Sequence, residues 1–275
     1  MTFGDYTYHP DAHWQGTEMA YHFAYGDQVP SILTWEWQDK YTLRSTLYPA
    51  YLSIPLHVLR FLKIDSNCLV NNSLYLMHCL LIVVGDYYMY HVAKMFIGKR
   101  GAAVTMLYLL FNFTINQIFS KTLTNGAESV FCQMAFYYFA RLKPKFDRNM
   151  ALMTLSITLA FIVRSSSLIG FIPLALFQMF QSCDDFLAIL QSAIFVALPT
   201  FTLSIVCDSI YYGKWACPQY NFVYVNVVED ITAYFGVEPW DFYQEQFEEG
   251  VTVFETLFPF FLAGFSVFAA FQIHG

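Results

Sequence analysis

The chain has 275 residues, of which 57% are hydrophobic and only 13% charged, and its mean hydropathy is +0.42. A soluble domain carries about 25% charged residues, so this chain lacks the polar side chains needed to cover a water-facing surface. The net charge of −7 and the lack of a long Lys/Arg run argue against a nucleic-acid partner.

Residues 1–46 are polar and aromatic, without the basic and then apolar opening of a signal peptide. A spanning helix needs about 20 mostly apolar residues. Such stretches occur at 74–93, 101–119, 150–163 with its continuation 167–182, 186–207 and 254–273, with weaker ones at 47–63 and 128–140. Backbone amides cannot stay unpaired in hydrocarbon, so these stretches are predicted to be helices. No ten-residue alternation points to a membrane barrel. The expectation is an all-α protein crossing a bilayer several times.

Residues 141–148, RLKPKFDR, carry four basic side chains between apolar stretches, which places them on the cytoplasmic side. Counting helices from there puts 120–127 and 208–253 on the exoplasmic side, and the basic stretch at Lys94, Lys99 and Arg100 in the cytoplasm. The segment 208–253 holds eight acids and one basic residue, Lys214. If only one of 47–63 and 74–93 spans, residues 1–46 join the other polar loops outside, and this arrangement is preferred, with 47–63 partly interfacial. The six cysteines, Cys68, Cys79, Cys132, Cys183, Cys207 and Cys217, show no metal-ligand spacing and read as buried small hydrophobes.

Several segments could carry chemistry. His9-Pro10-Asp11-Ala12-His13-Trp14-Gln15 is dense in titratable and ring side chains, followed by Glu18, Thr34-Trp35-Glu36-Trp37 and Arg44-Ser45. A carboxylate there could act as a general base beside tryptophans that stack on a sugar. The same residues also suit an interfacial aromatic belt. Arg164 closes an apolar helix before Ser165-Ser166-Ser167, where it could hold a lipid phosphate or snorkel to the headgroups. Thr122-Leu123-Thr124-Asn125-Gly126-Ala127-Glu128 reads as a polar turn followed by an acid at the start of a helix, where Glu128 suits the N-terminal end. Asp184-Asp185 reads as helix capping in preference to a metal pair. There is no GxSxG, HExxH, P-loop or GxGxxG.

HPDAHWQGTEMAYHFAYG, LTWEW and LRSTLYP together resemble the first luminal loop of the dolichol-phosphate-mannose-dependent α-mannosyltransferases, the GT-C-class enzymes of glycosyltransferase family 22. KTLTNGAES, DSIYYGKWACPQYNFVYVNV and YFGVEPWDFY resemble later motifs of that family, in family order. LTWEW and QYNFVYVN are most similar to the branch that adds the third mannose of the GPI core, GPI mannosyltransferase 3. EPWDFY is more similar to the N-glycan α-1,2-mannosyltransferase that uses the same donor.

The resemblance implies a GT-C-type transmembrane helical bundle in the endoplasmic reticulum membrane. In that arrangement 1–46 is the first luminal loop, 47–207 the bundle, 208–253 a luminal acidic loop and 254–275 a further helix. It implies transfer of mannose from dolichyl-phosphate-mannose to a glycolipid acceptor, with inversion, no metal and no cofactor. Asp11 matches the motif aspartate and takes the base role. The residues carried over as substrate-binding are His9, Trp14, Gln15, Trp35, Glu36, Arg44, Asn125, Glu128, Arg164 and Trp240. The expected partners are therefore the lipid-linked donor, the glycolipid acceptor and membrane lipids. Ala12 stands where the family has Glu, and Ser165-Ser166 replace a Pro-Thr. The chain begins at the first loop and ends near half the usual family length, as expected of a partial gene product, a trimmed chain or a degenerate relative. A non-catalytic relative remains an alternative, and so does a small transporter with ion-binding loop acids.

Overall fold

The computed structural model describes residues 10–112, 115–116, 119–143, 145–179 and 183–235, and among these the structure is helical without a strand. A π-helical turn, Ala12–Thr17, runs into α1, Glu18–Tyr25. Then come α2, Leu47–Leu62, and α3, Asn67–Phe111. Next are α4, Thr124–Phe139, α5, Arg148–Val163, and α6, Ser167–Met179. A last long helix starts as α7, Cys183–Ser192, passes through a π turn at Ala193–Ala197 and ends as α8, Leu198–Tyr212. A short helix, α9, Pro218–Val223, follows. The stretch predicted to be helical at 254–273 falls outside the described residues.

Among the described residues, two helices are long and apolar enough to cross a bilayer, Asn67–Phe111 and Phe186–Tyr212. Only 11% of the most apolar window of the second is buried within the protein, so it is not the core helix of a soluble domain. Its 27 residues span about 40 Å, enough for a hydrocarbon layer of about 30 Å. The apolar helices at Arg148–Val163 and Ser167–Leu176 are shorter.

Gly98 breaks α3. Its φ of 72° and ψ of 177° leave helical geometry and divide the element into 67–97 and 99–111. Lys94, Lys99 and Arg100 flank the break, where the sequence placed a basic turn between two helices. The predicted helix over 101–119 ends earlier, at Phe111. Asn112 takes an extended conformation and its Oδ1 accepts from the Ile115 amide at 2.9 Å. That local bond competes with continuation of the helix, and the apolar flanks hid it.

The 186–207 helix runs on to Tyr212, where Gly213 in the left-handed region (φ 65°) ends it. Asp208, counted with the acids of the following loop, therefore sits on a helix and is fully buried. The cysteines also differ from expectation. Cys68 is exposed, while Cys79, Cys132, Cys207 and Cys217 are half-buried and unpaired.

Two apolar clusters hold the first loop to the bundle. In one, Tyr48, Leu52 and Leu56 of α2 follow an i, i+4 stripe and meet Ala20, Ala24 and Tyr25 of α1, Val70 and Leu74 of α3, and Ala127 of α4. In the other, Met19 and Trp37 pack with Tyr212 and Ala216. Arg60 reinforces the first cluster. It donates to the Ala24 carbonyl and holds Asp27 bidentately at 3.0 and 2.7 Å.

The Arg60 guanidinium keeps the Asp27 carboxyl below its usual range. The contribution of this pair is therefore complete above the ordinary carboxylate pKa and fades as the pH falls through the lowered one. Asp27→Asn should flatten the acid limb of a melting-temperature profile slightly, as suits an exposed pair.

Candidate active site

The motif segment folds as a tight helical turn against the 122–126 turn. Asp11 is exposed at the head of that helix and its side chain caps no backbone amide. Next to it, Ala12 is buried and its carbonyl accepts from Thr122 Oγ1 at 3.0 Å. Thr122 Oγ1 also lies 3.0 Å from Thr17 Oγ1. Gln15 is buried, and the Trp14 carbonyl accepts from Trp37 Nε1 at 3.1 Å. The π-helical geometry of 12–17 widens the turn that presents these side chains, a rare feature that recurs at functional sites.

Gly16 permits the close approach. A Cβ at that position would lie 2.6 Å from the Thr122 carbonyl oxygen, a backbone atom that cannot swing away. Gly16→Ala should therefore separate the first loop from the turn and cost about 1–3 kcal/mol. A lower melting temperature in detergent, together with lost activity, is the expected reading.

The LTWEW and LRS motifs form a second unit. Trp35–Trp37 make a single 3-10 turn, and Glu36 Oε1 accepts from Arg44 Nε at 3.1 Å and from Arg44 Nη2 at 2.7 Å. Both partners are mostly buried. The segment is then clamped from the far end of the chain. Asp208 Oδ1 accepts from the Thr46 amide at 2.7 Å, Thr46 Oγ1 at 2.6 Å and Ser45 Oγ at 3.3 Å. Tyr212 donates its hydroxyl to the Arg44 carbonyl at 2.9 Å. Thr42 holds a φ of 45°, which is unfavourable for a β-branched residue, and Asn221 Nδ2 donates to its hydroxyl at 2.5 Å.

Arg164 enters from the opposite side. It lies just past the end of α5, with its Nε 3.4 Å from Glu128 Oε2. Glu128 was expected to favour the start of its helix. The helix starts at Thr124, one turn earlier, so Glu128 faces Arg164 instead. Arg44, Ser45, Arg164, Ser165, Ser166 and Gln219 line one small cleft, closed on its apolar side by Leu43, Pro218 and Phe222. The Arg44 guanidinium carbon lies 5.7 Å from the centre of the Phe222 ring. Two arginines, each already paired with a carboxylate, and three serines line this one cleft, and guanidinium and hydroxyl donors of this kind can hold an anion with several oxygens.

The structure thus joins Glu36 to Arg44, Glu128 to Arg164, and both arginines to one cleft. It places Trp14, Gln15 and Asp11 on the neighbouring helical turn. Trp35 packs edge-on to Tyr41 at 5.2 Å, and Asn125 is exposed on the first turn of α4. His9 and Trp240 lie outside the described residues, as do the side chains of Asp184 and Asp185. Among the described residues, no three His, Cys, Asp or Glu side chains gather as metal ligands. Asp208, Tyr212 and Gln219 were not singled out from sequence. Their signal was the run of polar residues inside the otherwise aromatic DSIYYGKWACPQYNF segment.

The chain is 31% identical over 258 residues to GPI alpha-1,2-mannosyltransferase 3 of Bos taurus, covering 93% of this chain and 46% of the relative. The Homo sapiens protein of that name is also 31% identical, over 93% of this chain and 45% of its own length. Mannosyltransferase APTG1 of Arabidopsis thaliana is 25% identical over 94% of this chain and 46% of its own length. The chain therefore spans about half the length of these curated relatives. No solved structure matches it significantly. The pattern of the Alg9-like mannosyltransferase family is matched over residues 1–273, and the chain belongs to that family.

Proposed function

We propose that the protein is an α-1,2-mannosyltransferase of the endoplasmic reticulum membrane that moves mannose from dolichyl-phosphate-mannose to the GPI precursor, adding its third mannose. Its helices cross the bilayer several times, and the polar loops face the lumen. The observation that carries this reading is the meeting of residues 43–45 of the first loop, the 162–166 segment and the 218–222 segment around one cleft that holds two arginines, with the first loop also fastened to Thr122 and Asp208. The names of the relatives supply the reaction class and the acceptor.

The chemistry follows from the groups present. The Asp11 carboxylate takes the proton of the acceptor hydroxyl. The freed oxygen pair bonds to the anomeric carbon, while the bond from that carbon to the phosphate oxygen breaks from the opposite face. A β-linked donor so gives an α-linked product. The lipid phosphate leaves with its negative charge against Arg164 and Arg44, whose guanidinium groups favour it electrostatically. Positioning of two lipid-borne substrates at one membrane face supplies much of the remaining acceleration.

Arg164→Ala should raise KM for the donor about tenfold to a hundredfold, the scale of one or two charge-assisted hydrogen bonds. Kinetics with a short-chain mannosyl lipid phosphate would read it. The test of the function itself is expression of the full-length protein in cells unable to add the third GPI mannose. Restored surface display of GPI-anchored proteins, with mannose transfer in microsomes, supports the reading. Absence of both overturns it, and so does a topology probe that puts residue 11 and residue 240 on opposite sides of the membrane.

A further inference from the structure

Gln219 is 3% exposed and lines the same cleft as the two arginines. Its Nε2 donates to the Ile162 carbonyl at 3.1 Å. A carbonyl only accepts, so the amide nitrogen is fixed on that side and Oε1 faces the other way. Gln219 Oε1 is buried and has no hydrogen-bond partner among the described residues. An acceptor left unpaired inside a protein costs about 1–3 kcal/mol, and such atoms are uncommon in native structures. The rest of the cleft's polar lining, two guanidinium groups and three serine hydroxyls, calls for an anion. Gln219 Oε1 calls for something else, a ligand O–H. A phosphodiester group has no hydroxyl of its own and satisfies the arginines alone. A phosphate bearing a sugar supplies both the anion and the hydroxyl within one small head.

We propose that Gln219 is a substrate-binding residue whose side-chain carbonyl accepts a hydrogen bond from a sugar hydroxyl of the donor's phosphosugar head. This rests on the donor reading given above. Gln219 also fixes the carbonyl two residues ahead of Arg164, so the residue that reads the sugar holds the segment that carries the phosphate ligand. Because a site built to pair a hydroxyl rejects a ligand lacking it, Gln219 contributes specificity as well as affinity.

The experiment uses the full-length protein in membranes, with a short-chain mannosyl lipid phosphate, its monodeoxy analogues and the same lipid phosphate without sugar. With the wild type, one monodeoxy donor should show KM raised about tenfold while the others stay near the parent. Gln219→Met keeps the size and removes the acceptor. It should raise KM for the parent donor about tenfold, leave KM for that one analogue unchanged, and leave inhibition by the sugar-free lipid phosphate unaltered. Equal KM for all monodeoxy donors with the wild type overturns the assignment without need of any variant. So does a Gln219→Met protein that loses affinity for the sugar-free lipid phosphate to the same degree, which marks a structural role. If the wild type used no mannosyl lipid phosphate at all, the donor reading would fall, and this assignment with it.

Discussion

Asp11→Asn should lower mannose transfer by roughly 10²–10⁴-fold, the usual contribution of a positioned general base, with little change in stability or donor KM. The substitution replaces one oxygen by an NH2 group of nearly equal size. Structurally it touches little, because Asp11 is exposed and its side chain caps no amide of the helix it opens. The adjacent position cannot take over the role. Ala12 has no titratable group, its side chain is buried, and its carbonyl is engaged by Thr122. The loss should therefore fall on kcat, with the melting temperature unmoved. Equal kcat in the two proteins would remove Asp11 from the mechanism. It would move the search to Glu18, which holds the Ile32 amide at 3.1 Å and lies 3.8 Å from His13.

Asp208→Ala should be the most damaging change outside the motif aspartate. One carboxylate oxygen receives three donors from residues 45 and 46, and the side chain is fully buried. Truncation leaves the Thr46 amide and hydroxyl unpaired, at about 1–3 kcal/mol each. A loss of about 3 kcal/mol in stability is expected, with donor KM raised because Arg44 loses its anchor. Asp208→Asn separates charge from geometry. All three bonds go to Oδ1, and Oδ2 has no partner among the described residues. An asparagine can keep the three bonds on its own oxygen, so it should retain most of the stability and most of the donor affinity. If Asp208→Asn were as damaging as Asp208→Ala, the negative charge itself, and not the hydrogen-bond geometry, would be what the segment requires. Thermal unfolding in detergent and donor kinetics decide between the two.

The parts of this molecule that could be read from sequence are those with local signals. The apolar lengths marked the α3 region and the 186–207 helix, and the basic Lys94, Lys99 and Arg100 marked the break near Gly98. Arg164 announced the end of its helix because a guanidinium does not continue an apolar run. The motifs named Glu36 and Arg44, but not that they pair, since eight residues of irregular chain have no periodicity to count. The end of the helix at Phe111 was hidden because Phe and Ile continue past Asn112 and mask its capping bond.

Asp208 was misplaced for a related reason. Hydropathy ends a membrane helix at the first acid, whereas this acid is accepted inside by donors from residues 45 and 46. Gln219 was invisible in its role because an unpaired oxygen is a property of the folded site. No residue type announces it.

The bond from the Thr46 amide to Asp208 joins positions 162 residues apart in the sequence. A ribosome makes residue 46 long before residue 208, so the nascent first loop must wait without its clamp while α2 to α6 and most of the last long helix are made. Until then Arg44 has its local partner Glu36 but no anchor from behind, and a growing chain should not capture donor. Maturation of the site is thereby tied to the arrival of the 186–212 helix, and stalling translation before that point should yield an inserted chain that cannot bind the lipid phosphate.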